Sequence, residues 1–259
     1  MQKRHKDRRQ YFDEEVQTTE KYYIPYLEKY LESFPDTVFE VGCGEGGNLL
    51  PFARRGSDVV GLDIEEERIE QAKDFFGQNG QNGLFIACDI LSLKGLDRRF
   101  RLIMLHDVIE HIMDKKALLL LLKDYLESDG FIYIGFPAWY MPFGGHQQIA
   151  RNGFVSHCPF LHLLPYALYS RLLNMLEKDK GIVRELLSVK RTRCTIEMFR
   201  RLAEQTGYEI VNEQLYFINP HYEVKFGLKP RKLCGFIGAI PFVRNFFSTS
   251  CFYLIRSKK

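Results

Sequence analysis

The sequence lacks any apolar run that approaches the roughly 18 residues expected of a membrane-spanning helix. Its first 15 residues, MQKRHKDRRQYFDEE, are charged where a secretory signal requires an apolar core. The six cysteines contain no CxxC pair and are scattered along the chain, which argues against a zinc framework and favours reduced thiols. We therefore expect a cytoplasmic protein that neither spans a membrane nor depends on disulfides.

Internal repeats and low-complexity linkers are also lacking, so we expect a single domain over residues 1–259. Short β-branched runs alternate with helical patterns, which predicts an α/β fold with a doubly wound, mostly parallel sheet. The predicted strands are 37–41, 58–62, 84–88, 100–105, 131–136, 208–218 and 251–257. The predicted helices are 47–55, 65–78, 114–127 and 196–206.

Three segments depart from this alternation. Residues 1–36 carry a helical pattern of acidic and aromatic positions. Residues 137–194 are rich in aromatic side chains and too long for a plain connection, so we expect a partly helical cap. Residues 219–250 form a basic, apolar insertion before the last strand, and residues 220–259 hold eight Lys or Arg against a single Glu.

A glycine-rich loop follows the first predicted strand, in the order Glu40-Val-Gly42-Cys-Gly44-Glu-Gly46-Gly47. Small residues at the start of a helix let a ligand approach the backbone closely. The spacing Gly-x-Gly-x-x-Gly, with Asp63 about 20 residues further on, also fits a dinucleotide-binding loop. The glycines alone therefore leave both kinds of cofactor open.

Charge favours S-adenosylmethionine over a nicotinamide or flavin dinucleotide. Glu40 and Glu45 would repel a pyrophosphate above the loop, whereas Glu40 can meet the ammonium group of S-adenosylmethionine. Asp63, at the end of the second strand, would accept hydrogen bonds from the ribose hydroxyls. Asp89, at the end of the third strand, would accept one from the adenine amino group, and the backbone amide of Ile90 would contact the ring.

Five motifs in order resemble the class I methyltransferases, particularly the small-molecule branch that includes the ubiquinone-biosynthesis O-methyltransferases. They are VFEVGCGEGG, GLDI, ACDI, FRLIMLHDVIEHI and YLESDGFIYIGFP, over residues 37–137. The resemblance implies a seven-stranded sheet whose last strand is inserted antiparallel. The cofactor-binding residues that it implies are Glu40, Gly42, Gly44, Gly46, Asp63, Ile64, Asp89, Ile90, His106 and Asp107. The competing interpretation of Asp63 and Asp89 is that they only cap helices.

Methyl transfer from a sulfonium requires positioning and exclusion of water, and a dedicated base is optional. If the acceptor is a hydroxyl, a neutral histidine within reach can take its proton. The candidates are His111, which matches a histidine of the resembled family, and His146, in a glycine-containing loop beyond the fifth strand. His106 ends the fourth strand and is expected to line the cofactor instead.

We expect S-adenosylmethionine as the cofactor and a small, partly apolar acceptor that is methylated at oxygen. His157, Cys158 and His162 fit no common zinc spacing, so no metal is expected. The basic residues carry no RNA-binding signature, so nucleic acid is not expected as a partner. Residues 225–259 have the composition of a segment that contacts an anionic membrane surface, but a packed insertion explains them as well. The rival functions are a nicotinamide-dependent oxidoreductase and a noncatalytic member that binds the cofactor or a partner.

Overall fold

An eight-stranded sheet with helices on both faces organises residues 7–258, which the computed structural model describes. Residues 1–6, part of the charged N-terminal stretch, and Lys259, the end of the basic segment, lie outside the described residues. The strands are β1 (Thr37–Val41), β2 (Asp58–Asp63), β3 (Leu84–Ala87), β4 (Phe100–His106), β5 (Leu126–Phe136), β6 (Tyr208–Ile218), β7 (Arg231–Lys232) and β8 (Ser250–Ser257). Their spatial order is β3-β2-β1-β4-β5-β8-β6-β7.

The pairing of the strands confirms an α/β fold with a mostly parallel sheet. Strands β1 to β5 pair with one another in parallel, and β8 lies antiparallel between β5 and β6, as the resemblance implied. The predicted number of seven strands is wrong by one, because β7 adds a two-residue edge strand beside β6. Two exposed basic residues show no apolar alternation, so the sequence carries no signal for this strand.

The helices are α1 (Arg8–Thr18), α2 (Ile24–Leu27), α3 (Leu50–Arg54), α4 (Glu66–Gln78), α5 (Lys115–Tyr125), α6 (Gly153–His157), α7 (Tyr166–Leu176), α8 (Lys180–Thr192), α9 (Ile196–Gln205), α10 (His221–Phe226), α11 (Gly235–Gly238) and α12 (Val243–Phe247). A π-helical turn, Thr19–Tyr23, joins α1 to α2 without a break. The predicted helix 47–55 begins later, at Leu50, because the residues before it complete the turns of the glycine loop. Within residues 7–258, no helix is long and apolar enough to cross a membrane.

Alternate residues of the central strands supply two apolar cores, one on each face of the sheet. From β4, Ile103 and Leu105 join the core that α5 and α9 complete, while Leu102 and Met104 join the core that α1, α2 and α4 complete. Because the strands are buried on both faces, they appear in the sequence as nearly continuous apolar runs. The first helical segment, which runs from α1 through the π-helical turn to α2, therefore belongs to the main fold.

Residues 137–194 leave the sheet after β5 and form α6, α7 and α8 around a small apolar core of their own. That core includes Val155, Tyr169, Leu173 and Leu186. The backbone amide of Trp139 donates to the carbonyl of Cys194 at 2.9 Å, so the two ends of the segment lie side by side. Because its two ends meet, this segment can extend from the carboxyl end of β5 without disturbing the pairing of the strands.

Phe252, in β8, should be a main contributor to stability, because its buried ring lies 4.8 to 5.7 Å from the rings of four tyrosines. We predict that Phe252→Ala lowers the free energy of unfolding by about 3–5 kcal/mol through the cavity it leaves. Urea denaturation followed by circular dichroism measures this loss. Phe236→Ala, which removes a ring that is 77% exposed, is the matched control. Equal losses in the two variants would contradict the prediction.

Candidate active site

The glycine loop connects the end of β1 to α3 and turns sharply at three glycines. Gly42, Gly44 and Gly46 have φ angles of +73°, +53° and +84°, in the left-handed region that favours glycine. At Gly42 a side chain would also collide with Val108, since a Cβ atom would lie 2.3 Å from its Cγ2. This position needs glycine for its backbone conformation and for space.

Asp63, at the carboxyl end of β2, connects the loop to the neighbouring strand. Its Oδ2 accepts a hydrogen bond from the Gly44 amide at 2.9 Å, and its Oδ1 accepts one from the Glu65 amide at 2.9 Å. A carboxylate has about four acceptor sites, so Asp63 can hold the loop and still accept hydrogen bonds from a ligand. Ile64 beside it is 71% exposed and offers an apolar surface at the same edge.

Glu40, in β1, is a fully buried carboxyl at the start of the loop. Its Oε1 accepts a hydrogen bond from the side-chain amide of Asn48 at 2.8 Å, whereas its Oε2 has no partner among the described residues. Burial raises the pKa of Glu40 to about 8; the bond from Asn48 opposes this effect and the nearby Asp63 adds to it. A buried carboxyl with an unused oxygen suits a ligand that is cationic or donates hydrogen bonds.

Asp89 follows β3, and the parallel pairing of β2 with β3 places it at the same edge as Asp63. Its side chain is exposed, and its Oδ1 accepts a hydrogen bond from the Leu91 amide at 2.9 Å at the start of a short 3₁₀ turn. This is a capping contact, and it leaves the other oxygen available. The Ile90 side chain is buried in the core, so only its backbone can face a ligand.

His106 ends β4 with its ring towards the first helical segment. Its Nε2 forms a hydrogen bond of 2.7 Å with the Tyr23 hydroxyl, and its Nδ1 lies 3.7 Å from the Asp107 carboxylate. Asp107, the next residue, has a φ angle of +54°, which is uncommon outside glycine. One nitrogen of His106 is therefore already in contact with Tyr23.

A cavity of about 310 Å³ opens between α1, the end of β4 and residues 137–149. Its lining consists of Arg8, Tyr11, Arg68, Asp107, His111, Pro137, Met141, Phe143, His146, Gln148, Ile149, Glu185, Asn219, His221, Tyr222, Lys225 and Thr249. Three of the predicted site residues, Asp107, His111 and His146, are among them. Arg8 and Tyr11 were not predicted as site residues, because no local motif marks residues that reach the site through a packed helix.

The two candidate bases lie together at this cavity, with the ring centroids of His111 and His146 5.0 Å apart. Desolvation of the ring, and then the proximity of His146, lower the pKa of His111 to about 4. Burial also lowers the pKa of His146, against the opposing effect of Asp107. Both rings are therefore neutral at pH 7, which is the form that accepts a proton.

Glu110 is buried beside this pair, with its Oε1 3.6 Å from Nε2 of His146. Neither carboxyl oxygen has a hydrogen-bond partner within residues 7–258. Burial, and then the charge of Asp107, raise the pKa of Glu110 well above its usual range. Glu110, His111 and His146 offer three potential metal-ligating atoms within 4.8 Å of one another, so the expected absence of a metal stays a prediction.

His157 and His162, which fit no common zinc spacing, have separate partners. Nε2 of His162 lies 2.8 Å from the carbonyl of Trp139, and the ring is buried. His157 is exposed on α6, where its Nδ1 lies 2.8 Å from the carbonyl of Gly153. Both contacts are local to the segment after β5.

Comparison with known proteins identifies residues 38–130 as a match to the family described as a methyltransferase domain. The ubiquinone biosynthesis O-methyltransferase of Bartonella tribocorum is 26% identical over 119 residues, which are 44% of this chain and 48% of that protein. The protein of the same name from Cereibacter sphaeroides is 30% identical over 95 residues, which are 37% and 38% of the two chains. The chain thus spans about half or less of the length of these curated relatives.

Solved structures resemble the chain over nearly its whole length. An S-adenosylmethionine-dependent methyltransferase from Clostridium acetobutylicum has a TM-score of 0.60 at 12% identity, covering 94% of this chain and 92% of its own. Magnesium protoporphyrin IX methyltransferase from Synechocystis, with bound S-adenosylhomocysteine, has a TM-score of 0.55 at 15% identity, covering 95% and 84%. At such identities the likeness establishes the fold alone.

The chain thus contains a region, residues 38–130, that matches a methyltransferase domain, and its fold is similar to that of S-adenosylmethionine-dependent methyltransferases, in agreement with the ordered motifs. Both curated relatives described above are named as O-methyltransferases of ubiquinone biosynthesis.

Proposed function

We propose that the protein transfers a methyl group from S-adenosylmethionine to a small, partly apolar acceptor, at oxygen, by in-line displacement. The observation that carries the proposal is the pair of fully buried carboxyls, Glu40 and Glu45, beside the glycine loop. Arg8 and Arg68 lie 3.2 and 3.8 Å from Glu45, whereas no ion pair involves Glu40 in the described part of the chain. The ionised form of Glu40 repels a pyrophosphate and attracts an ammonium group, and the charge of the ammonium group favours that form.

The residues proposed to bind the cofactor lie at or just beyond the carboxyl ends of β1, β2, β3 and β4. Glu40 binds the ammonium group, and the glycine loop lets the methionine portion approach the backbone. Asp63 accepts hydrogen bonds from the ribose hydroxyls, with Ile64 beside the sugar and base. Asp89 and the Ile90 amide contact adenine. His106 and Asp107 form the wall beside the methionine portion. The support for this set is that β1, β2, β3 and β4 are parallel and end at one edge of the sheet.

Residues 137–194 act as the cap over the acceptor in this proposal. They contribute Met141, Phe143 and Ile149 to the cavity, which favours a partly apolar acceptor and excludes water. Bound S-adenosylmethionine supplies a sulfonium methyl group, and the acceptor hydroxyl gives its proton to an imidazole nitrogen as its oxygen takes that methyl. His111 or His146 is the base, because both are neutral and line the cavity.

Cofactor choice is tested by calorimetric titration with S-adenosylhomocysteine and, separately, with NADH. We predict micromolar binding of S-adenosylhomocysteine and no binding of NADH. Asp63→Ala should weaken binding at least about 100-fold, since it removes the ribose acceptors and the bond to the Gly44 amide. Asp58→Ala, at the exposed start of β2, is the control and should bind normally. Binding of NADH instead would establish the oxidoreductase.

The base is tested by the turnover of His111→Asn and His146→Asn with a panel of phenols and catechols, measured as S-adenosylhomocysteine formed. We predict a loss of about 100-fold or more in at least one variant, the usual contribution of a general base. The exposed His157→Asn is the matched control. Because the pKa of His111 is about 4, wild-type turnover at saturating cofactor should not fall between pH 8 and pH 6. Normal turnover in both variants would exclude both histidines, and absence of wild-type turnover with every acceptor would favour the noncatalytic alternative.

We also infer that the segment from α10 to α12 contacts anionic membrane lipid. Phe236 and Phe242 are 77% and 62% exposed, and Lys229, Arg231 and Lys232 are exposed close to them in sequence. Aromatic rings flanked by basic side chains are typical of segments that lie in a membrane interface. Arg244 is buried and paired with Glu197, so it takes no part.

Co-sedimentation with vesicles tests this contact. Wild-type protein should sediment with phosphatidylglycerol-containing vesicles at low salt and remain in solution with phosphatidylcholine alone, because the attraction requires negative charge. Phe236→Ser with Phe242→Ser should abolish sedimentation. Phe154→Ser, which replaces a ring that is 58% exposed on α6, should leave it unchanged. Failure of wild-type protein to sediment would disprove the contact.

A further inference from the structure

One face of α1 lies on the glycine loop and forms a wall of the candidate site. Arg8, Tyr11 and Glu15 follow one another at spacings of three and four residues, which places them on the same side of the helix. Arg8 and Tyr11 line the cavity, and Glu15 shares a side-chain hydrogen bond with Tyr11. The helix therefore brings an additional carboxyl to the loop from outside residues 37–137.

Gly47 is the point at which Glu15 meets the loop. A Cβ atom at Gly47 would lie 2.6 Å from Cβ of Glu15 and 2.7 Å from its Oε2. Oε2 of Glu15 is shielded from solvent and has no hydrogen-bond partner within the described residues. This places an unused, buried oxygen directly above the loop that is proposed to hold the methionine portion of the cofactor.

The carboxyls around the loop outnumber the cations. Four of them act together on the thiol of Cys43, in the middle of the loop, and raise its pKa in addition to burial; they are Glu40, Asp63, Glu15 and Glu45. The cations paired with this group among residues 7–258 are Arg8 and Arg68, and both are in contact with Glu45. Glu15 and Glu40 thus remain without an ion pair. Buried carboxyls without a cationic partner ionise readily only when a cation reaches them, so this group suits a cationic ligand.

We propose that Glu15 is a cofactor-binding residue, which joins Glu40 in receiving the ammonium group of S-adenosylmethionine, and that binding releases a proton from these carboxyls. The inference rests on the proposed function and adds α1 to the cofactor site. An ammonium group carries three donors and one positive charge, so two carboxylates can share it. Its charge favours the ionised form of both, and the protons they hold in the empty site leave as the ligand enters.

The direction of the pH dependence follows from the groups that face Glu15 and Glu40. Burial, and then Glu40 and Glu45, raise the pKa of Glu15, while Tyr11 and Arg68 oppose the rise. The pKa of Glu40 is about 8, so this carboxyl is mostly protonated at pH 7. Because the ligand needs the ionised form, affinity should decrease as the pH falls from 8 to 6, by about 10-fold or more.

Calorimetry with S-adenosylhomocysteine, which retains the ammonium group and cannot transfer a methyl, measures affinity and proton release together. At pH 7 in phosphate and in Tris, which differ in ionisation enthalpy, wild-type protein should release between one and two protons per ligand, because the pKa values of Glu40 and Glu15 are both raised without ligand. Glu15→Gln should bind about 10-fold more weakly and release fewer protons. Glu20→Gln removes a carboxylate from the same helical segment, where Glu20 pairs with Arg54 on the surface at 3.3 Å, and should behave as wild type.

The outcomes separate this inference from the proposed function. If Glu15→Gln retains wild-type affinity and proton release, the assignment of Glu15 is overturned, and the methyltransferase proposal stands. If wild-type protein fails to bind S-adenosylhomocysteine at millimolar concentration, the proposed function itself is disproved. Thermal unfolding without ligand distinguishes a packing role, since a lower Tm with unchanged affinity would show that Glu15 only supports the helix. Glu15→Asp, which keeps the charge, should retain more of the proton release than Glu15→Gln.

Discussion

Three consecutive amides of the glycine loop bind the end of β2, and the candidate site depends on this attachment. The amides of Gly42 and Cys43 donate to the carbonyl of Leu62 at 2.6 and 2.9 Å, and the Gly44 amide donates to Asp63. The left-handed glycines bring these donors into position, so all three amides are paired with the end of β2. The loop is thereby held in one conformation beside the buried carboxyl of Glu40, independently of any ligand.

Two consecutive side-chain hydrogen bonds connect the first helical segment to the glycine loop and to β1. The Thr19 hydroxyl donates to Oδ1 of Asn48 at 2.8 Å, and the amide nitrogen of Asn48 donates to Glu40 at 2.8 Å. Buried networks of this kind are costly when incomplete, so they select one position of the helix relative to the strand. Through these hydrogen bonds, the position of α1 is coupled to the carboxyl that is proposed to bind the cofactor.

Much of the sheet was predictable because strands that are buried on both faces are apolar throughout. The polar residues that follow these strands mark their carboxyl ends, where ligands bind in sheets of this kind. This is why β1 and β2 begin where predicted and why Asp63 stands at a strand end. The contacts across the cavity were not predictable. The approach of His111 to His146, and of Glu110 to His146, depends on the path of the chain after β5, which periodicity does not determine. The approach of Glu15, in α1, to Gly47 was not predictable for the same reason.

The π-helical turn at Thr19–Tyr23 changes which residues of the first helix share a face. In an uninterrupted α-helix each residue advances by about 100°, so residues eight apart would point in directions that differ by roughly 80°. The wider turn absorbs one residue, and Glu15, Thr19 and Tyr23 consequently all point at the sheet edge, towards Gly47, Asn48 and His106 respectively. The π-helical turn thus holds one residue more than an α-helical turn. If that residue were deleted, the side chains before and after the turn would no longer face the same side of the helix.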